Sequence, residues 1–330
     1  MKPEIVAELA QGFEGRVEQA MLLMKAAAKA GADAAKFQLV YADELATPDY
    51  QYYELFQTLE MTDGEWKSLA GFGAENGVEL HVDIFGSKSL QLAEKLGVQV
   101  IKLHGTDISN VGLLVEVAGS SVPRVMLGAG GAYHDEIERA LEILSGKKVV
   151  VLLGFQGYPT PNDANQIARV RLFTEKYASD TVSIGFADHA TPDTGLRYGL
   201  AATAIGAGAC VIEKHLTLGK VMEIEDFESA LNPDEFVEFC DVVRSCAEAL
   251  GATSDTPNYN MSESELGYRK MIRRHVISAH DLKEGQMLSA SDVVLKRCSS
   301  ENVLTDIEAV YGKVLTRPVA PNSPVTQEDI

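Results

Sequence analysis

The sequence predicts an α/β chain, a (β/α)8 TIM barrel followed by a small β-rich domain. Three observations carry that prediction. Short apolar runs alternate strictly with longer amphipathic runs, which implies parallel strands joined by crossover helices. The alternation repeats eight times before residue 250, which suits a closed barrel better than an open sheet. Beyond that point the runs shorten and turn residues multiply.

The candidate strands are 4–9, 34–40, 78–84, 98–103, 124–128, 148–153, 181–187 and 209–213. The candidate helices lie near 15–30, 63–76, 87–96, 109–118, 133–145, 162–178, 193–206 and 232–250. A dinucleotide-binding open sheet would need a glycine-rich loop after an early strand. Gly128, Gly130 and Gly131 follow the fifth strand and lack that spacing. The barrel is therefore assigned to 1–250. Residues 251–265 (GATSDTPNYNMSESE) are polar without an apolar period and read as a linker. Residues 266–330 read as a compact β-rich domain, with a Lys283–Glu284–Gly285 turn and prolines near the end. A domain that small has little core of its own and is expected to dock on something else.

The net charge of -19 argues against nucleic acid and anionic membranes as partners. A local lysine cluster can still bind a small anion. The N-terminal stretch MKPEIVAELAQG has no basic region followed by a long apolar one, so no signal peptide is expected. No run approaches the roughly 18 apolar residues of a membrane span. Cys210, Cys240, Cys246 and Cys298 lack metal-knuckle spacing. These features together point to a cytoplasmic chain with reduced thiols.

Chemistry in such barrels sits at the C-terminal strand ends. There the first strand carries Glu8, the second Lys36 and Gln38, and the third His81 and Asp83. The fourth carries Lys102, His104 and Asp107, the seventh Asp188–His189, and the eighth Glu213–Lys214–His215. Two neutral imidazoles from neighbouring strands, His189 and His215, can hold a divalent metal and leave positions open. Lys36 and Lys102 stand in apolar strands, where burial requires an anion nearby. That anion is either a substrate or a structural carboxylate such as Glu8. Lys214 alternates with His215 and should face the helices. His134 and His280 read as surface residues, and His275 as structural.

The segments AELAQGFEG, GADAAKFQ, QVIKLHGTD, YPTP, GFADHAT and VIEKHLT resemble the sialic acid (N-acetylneuraminate) synthase family, with its pseudaminic and legionaminic relatives. HDLKEGQMLSASDVVLKR resembles that family's C-terminal antifreeze-like (SAF) domain. The resemblance spans nearly the whole chain. It implies condensation of phosphoenolpyruvate with an N-acylated amino sugar to give a nonulosonic acid. It implies a divalent metal on His189 and His215, manganese for preference, with magnesium or cobalt as alternatives. It also implies phosphoenolpyruvate contacts from Lys36, Lys102 and Gln38, and further substrate contacts from Asp83, Gln156, Tyr158 and Asp226. Glu8, Lys102 and Asp107 are the implied catalytic groups, with Asp107 standing where the family has a glutamate that handles a water proton. A homodimer is implied too, in which Arg297 of the SAF domain reaches the partner's barrel.

Several positions depart from the family pattern. Its phosphate-binding hydroxyl residues are replaced by Asp83, Gly105, Gly128–Ala129–Gly130 and Ala187, and its asparagine by Gln156. Two other readings therefore stay open. One is a metal-dependent aldolase or lyase using a non-phosphorylated donor, and the other a non-catalytic sugar-binding paralogue.

Overall fold

The computed structural model describes residues 2–155, 157–251, 256–300 and 303–330. The chain divides into two compact units, Met1–Gly251 and Ala252–Ile330.

The first unit is a closed barrel of eight parallel strands in sequence order. They are β1 (Glu4–Ala10), β2 (Ala34–Gln38), β3 (Glu79–Ile84), β4 (Val100–Leu103), β5 (Arg124–Gly128), β6 (Lys148–Leu153), β7 (Val182–Asp188) and β8 (Val211–His215). All eight predicted strands are present, and each overlaps its predicted range. The crossover helices are α1 (Val17–Ala30), α4 (Asp63–Asn76), α5 (Ser87–Leu96), α6 (Val111–Gly119), α7 (His134–Ile143), α8 (Ala168–Tyr177), α9 (Gly199–Gly206) and α10 (Pro233–Leu250). Two short helices, α2 (Ala42–Leu45) and α3 (Tyr53–Thr58), fill the connection after β2 and were not anticipated.

Local chemistry explains several of these ends. Gly31, Gly77 and Gly97 close α1, α4 and α5 in the left-handed region, which costs glycine no Cβ clash. Thr62 and Glu65 form a reciprocal capping box at the start of α4. Outward-facing strand residues join the helices in one apolar layer. Within it Phe13, Phe37 and Trp66 meet edge to face, with centroids 5.8–6.4 Å apart. Trp66 is fully buried. Trp66→Ala is expected to cost about 3–5 kcal/mol. Urea denaturation measures this, and a loss below ~1 kcal/mol would remove the triad from the barrel's main supports.

The strand interior is layered. Val6, Ala34, Val100, Met126, Val150 and Val211 form an apolar floor. Two residues further along four of these strands stand Glu8, Lys36, Lys102 and Glu213, on the same face by the period of two. The floor therefore carries a charged layer on its C-terminal side.

The second unit has its own core, built from Val276, Leu282, Leu288, Val293, Val310, Leu315, Val319 and Val325. Its named strands, β9 (His275–Ser278) and β10 (Val293–Lys296), pair antiparallel. Isolated bridges such as Leu282–Val319 and Met287–Val314 extend the pattern. The structure corrects the linker reading in one respect. A helix, α11 (Glu263–Ile272), crosses from the expected linker into the expected β-rich segment. Ser262 accepts from the Glu265 N–H, and Glu265 accepts from the Ser262 N–H. The S-x-x-E start signal lay in the polar run without an apolar stripe after it. Residues 252–255 of the expected linker lie outside the described residues.

Candidate active site

The barrel's closure brings distant strand positions into register. Glu8 on β1 lies opposite Lys36 on β2 and His215 on β8. Asp83 on β3 lies opposite Gln38 on β2 and Lys102 on β4. The strand alternation then aims these side chains inward.

Five charged groups meet in the resulting layer, all of them buried. Lys36 donates to Glu8, and its Nζ lies 2.7 Å from Asp83 Oδ1 and 3.6 Å from Glu213 Oε2. Lys102 Nζ lies 2.7 Å from Glu213 Oε1, 3.6 Å from Glu8 Oε2 and 3.9 Å from Asp83 Oδ2. Three carboxylates thus share two ammonium groups. Burial alone would discharge the lysines, but the facing carboxylates hold both above the usual lysine range. Burial likewise opposes the charge on Glu8 and Glu213, and the two lysines outweigh it and keep both carboxyls low. At Asp83 burial wins over the lysines, and its carboxyl is pushed up to about 6. The second of the two alternatives for the strand lysines, a structural carboxylate, is therefore met inside the protein. Their anions in this structure are Glu8, Asp83 and Glu213.

Glu213 was not among the predicted site residues. The signal was present, because it precedes His215 by two and so shares its face. Lys214 faces the other way, as expected, and pairs with Asp188 Oδ1 at 3.1 Å and the Ala190 carbonyl at 2.8 Å.

The two candidate ligands stand at the mouth of the layer. Their rings lie 5.3 Å apart between centroids. The His189 carbonyl accepts from the Thr160 N–H at 2.9 Å and the Ser229 hydroxyl at 2.7 Å. These bonds tie the loop after β6 and the loop after β8 to the end of β7. The His215 carbonyl accepts from the Leu231 N–H at 2.9 Å. The loop between Leu216 and Leu231 returns to β8 this way and carries Asp226 back to the site. Asp226 has a positive φ of 62°, and its Oδ2 lies 3.6 Å from His215 Nδ1. Burial and the neighbouring Glu225 push its carboxyl up to about 8.

Burial, reinforced by the other imidazole, drives His189 well below the usual histidine range. Burial drives His215 down to about 3. Both rings are thus neutral, the form that binds metal. His189 Nδ1 and His215 Nε2 are buried without a hydrogen-bond partner. Buried polar atoms normally find partners, so these two nitrogens fit a bound cation. Among the described residues, no group of three or more His, Cys, Asp or Glu side chains is placed to hold a metal. A cation on this pair would take its remaining ligands from substrate or water.

The other predicted residues fall as follows. Tyr158 sets its ring edge-on to His189 and His215, at 5.2 and 5.6 Å. Burial and the Asp226 carboxyl raise its phenol well above the ordinary value, so it stays neutral. Gln38 accepts from Gln11 Nε2 at 2.7 Å. Asp107 stands apart from the charged layer, in a short turn where Asn110 and Thr106 donate to its carboxylate at 3.0 and 3.3 Å. It lines a cleft with Thr47, Tyr50 and Phe85. Arg297 is an exposed residue of the second unit, donating to the Ile272 carbonyl at 3.2 Å. Gln156 lies outside the described residues. His81 is bound to Glu79 at 3.4 Å and belongs to the floor, while exposed His134 pairs with Glu138 and exposed His280 with the buried Asp292. All four cysteines are free. Among the described residues no helix is long and apolar enough to cross a membrane.

The glycines after the middle strands have a steric cause. A Cβ on Gly130 would sit 2.2 Å from the Gly154 carbonyl oxygen, and one on Gly154 would sit 2.4 Å from the Ala187 carbonyl oxygen. A Cβ on Gly128, where the family has a hydroxyl residue, would sit 2.8 Å from the Gly105 nitrogen, so the ends of β4 and β5 leave no room there for a side chain.

The fold and site define a parallel-barrel protein with two neutral histidines at the mouth of a buried lysine–carboxylate layer. The chain belongs to the NeuB family, whose model matches residues 23–255, and residues 273–330 match the SAF domain. It is 27% identical to the N,N'-diacetyllegionaminic acid synthase of Campylobacter jejuni, over 96% of each chain. It is 28% identical to that organism's pseudaminic acid synthase, over 88% of this chain and 85% of the relative. In fold it resembles a putative spore coat polysaccharide biosynthesis protein E from Chromobacterium violaceum, with a TM-score of 0.84, 24% identity and 99% of each chain covered.

Proposed function

We propose that this chain condenses phosphoenolpyruvate with an open-chain N-acylated amino sugar to form a nonulosonic acid in the cytoplasm. The observation that carries the reading is the pair of neutral, unpartnered imidazoles of His189 and His215 beside Tyr158 and Asp226. That pair lies in a chain whose relatives are sugar-acid synthases. A divalent cation on these nitrogens, manganese for preference, would supply Lewis-acid polarisation of the acceptor's aldehyde oxygen. Tyr158, held neutral, offers a proton donor at the same mouth. Asp226 can accept from sugar hydroxyls. Lys36 and Lys102 would face the donor's carboxylate from below, and Asp107, which stands apart from the charged layer, would have to reach in to handle a water proton.

A second reading, a metal-dependent aldolase or lyase with a non-phosphorylated donor, is favoured by the surplus carboxylate around the lysines. One assay separates them. The purified protein with manganese, phosphoenolpyruvate and a panel of N-acylated hexosamines is expected to release phosphate only when a sugar is present. Absence of sugar-dependent phosphate with every acceptor would refute the condensation. Cleavage of a sugar acid to pyruvate without phosphate would establish the second reading instead. A homodimer belongs to the same proposal, and a monomeric mass in solution overturns it.

A further inference from the structure

Two members of the charged layer, Glu213 and Asp83, keep a buried carboxylate oxygen without a hydrogen bond, and the oxygen held farther from a lysine is that of Asp83. Its Oδ1 lies 2.7 Å from Lys36 Nζ. Its Oδ2 lies 3.9 Å from Lys102 Nζ and has no hydrogen-bond partner, although it is buried. The charged groups that face it are Lys36 on β2, Lys102 on β4, Glu8 on β1 and Glu213 on β8. Fully ionised, the five groups sum to three negative and two positive charges. An incoming anion would add a further negative charge to a layer that already carries one in excess. In a buried site that arrangement is strongly disfavoured unless one carboxylate takes up a proton.

We propose that Asp83 is a built-in counter-anion, a donor-selectivity residue that occupies the two lysines and must accept a proton from solvent before an anionic donor can replace it. This rests on the proposed reading that Lys36 and Lys102 receive the donor's carboxylate. Asp83 is the member of the layer best suited to the exchange. Burial leaves its carboxyl raised to about 6, whereas Glu8 and Glu213 are held low by the same lysines. The sign follows directly. Below pH 6 Asp83 is already neutral, and anion affinity is flat. Above pH 6 each bound anion takes up one proton, and affinity falls about tenfold per pH unit. Glutamine or asparagine in a similar position would hold no charge to displace.

Pyruvate is a suitable probe, because its carboxylate does not titrate in this range. Calorimetry on the full-length wild type is expected to show pyruvate affinity falling from pH 6 to pH 8, with proton uptake near one per anion. Asp83→Asn is expected to bind pyruvate independently of pH, about 100-fold more tightly than wild type at pH 8. Asp83→Thr should behave alike and guards against a folding defect in one variant. Phosphoenolpyruvate at pH 8 should show the same ranking. If neither folded variant gains affinity over wild type, or the wild type shows no pH dependence, the proposal falls. Its failure is separable from that of the condensation. Sugar-dependent phosphate release with no gain in the variants would sink this inference alone. Tighter anion binding in the variants, without turnover by the wild type on any sugar, would sink the condensation alone.

Discussion

His215→Ala is expected to remove metal binding and to lower kcat/KM by ~100- to 10,000-fold. The figure corresponds to the several kcal/mol that Lewis-acid polarisation contributes to such a step. His215 supplies one of the two histidine nitrogens at the mouth of the layer that are buried without a partner. With it gone, His189 Nδ1 is left alone, and a single imidazole holds a divalent cation weakly. The direct readout is manganese stoichiometry after gel filtration, which is expected to fall from near one per chain to background. That readout does not depend on knowing the acceptor sugar. His134→Ala is the control, because His134 is a surface residue paired with Tyr177 and Glu138. If His215→Ala retains manganese with unchanged affinity, the two-histidine site is wrong.

Lys36→Met is expected to cost about 3–5 kcal/mol of stability, the usual consequence of removing one partner from a buried ion pair. Lys36 is fully buried and meets Glu8, Asp83 and Glu213. Its loss leaves three carboxylates around Lys102 alone. The methionine fills most of the volume, so the effect reports the charge imbalance more than a cavity. Linkage gives the pH dependence. Glu8 and Glu213 are held low in the wild type by the lysines. Removing Lys36 raises their folded-state values, so the variant loses most stability above the carboxylate range and regains part of it as the pH falls. Adding Asp83→Asn to Lys36→Met should restore some stability, because the two positions couple directly. Urea denaturation at pH 5 and pH 8 checks both statements. A penalty under ~1 kcal/mol at pH 8, or one that grows on acidification, would contradict the ionic account.

The two predictions draw on parts of the site that were unequally legible. The histidines announced themselves, since each ends a strand-like run and adjacent strands of a parallel barrel are neighbours. Asp107 was placed with the site because it follows the fourth strand, yet the turn after Leu103 carries it to the rim, where Asn110 and Thr106 hold it. The missing hydroxyls after the middle strands were readable as residue types. The close approach of Gly128 to Gly105, which leaves no room for a Cβ at Gly128, was not. The helix α11 was signalled by Ser262 and Glu265 only, without an apolar stripe to extend the signal.

The sequence by itself determined the eight-fold alternation, the inward face of each strand and the residues offered at each strand end. These depend on local periods of 2 and 3.6, which a single segment displays. Only the tertiary structure decided which of those residues share charge. Glu213 meets Lys102 across 111 positions and Lys36 across a still longer separation, because the barrel closes β8 onto β1. Closure also fixed the stoichiometry of the layer, three carboxylates to two lysines. Charge balance is a property of the buried volume and not of any strand, so no run of residues could reveal it.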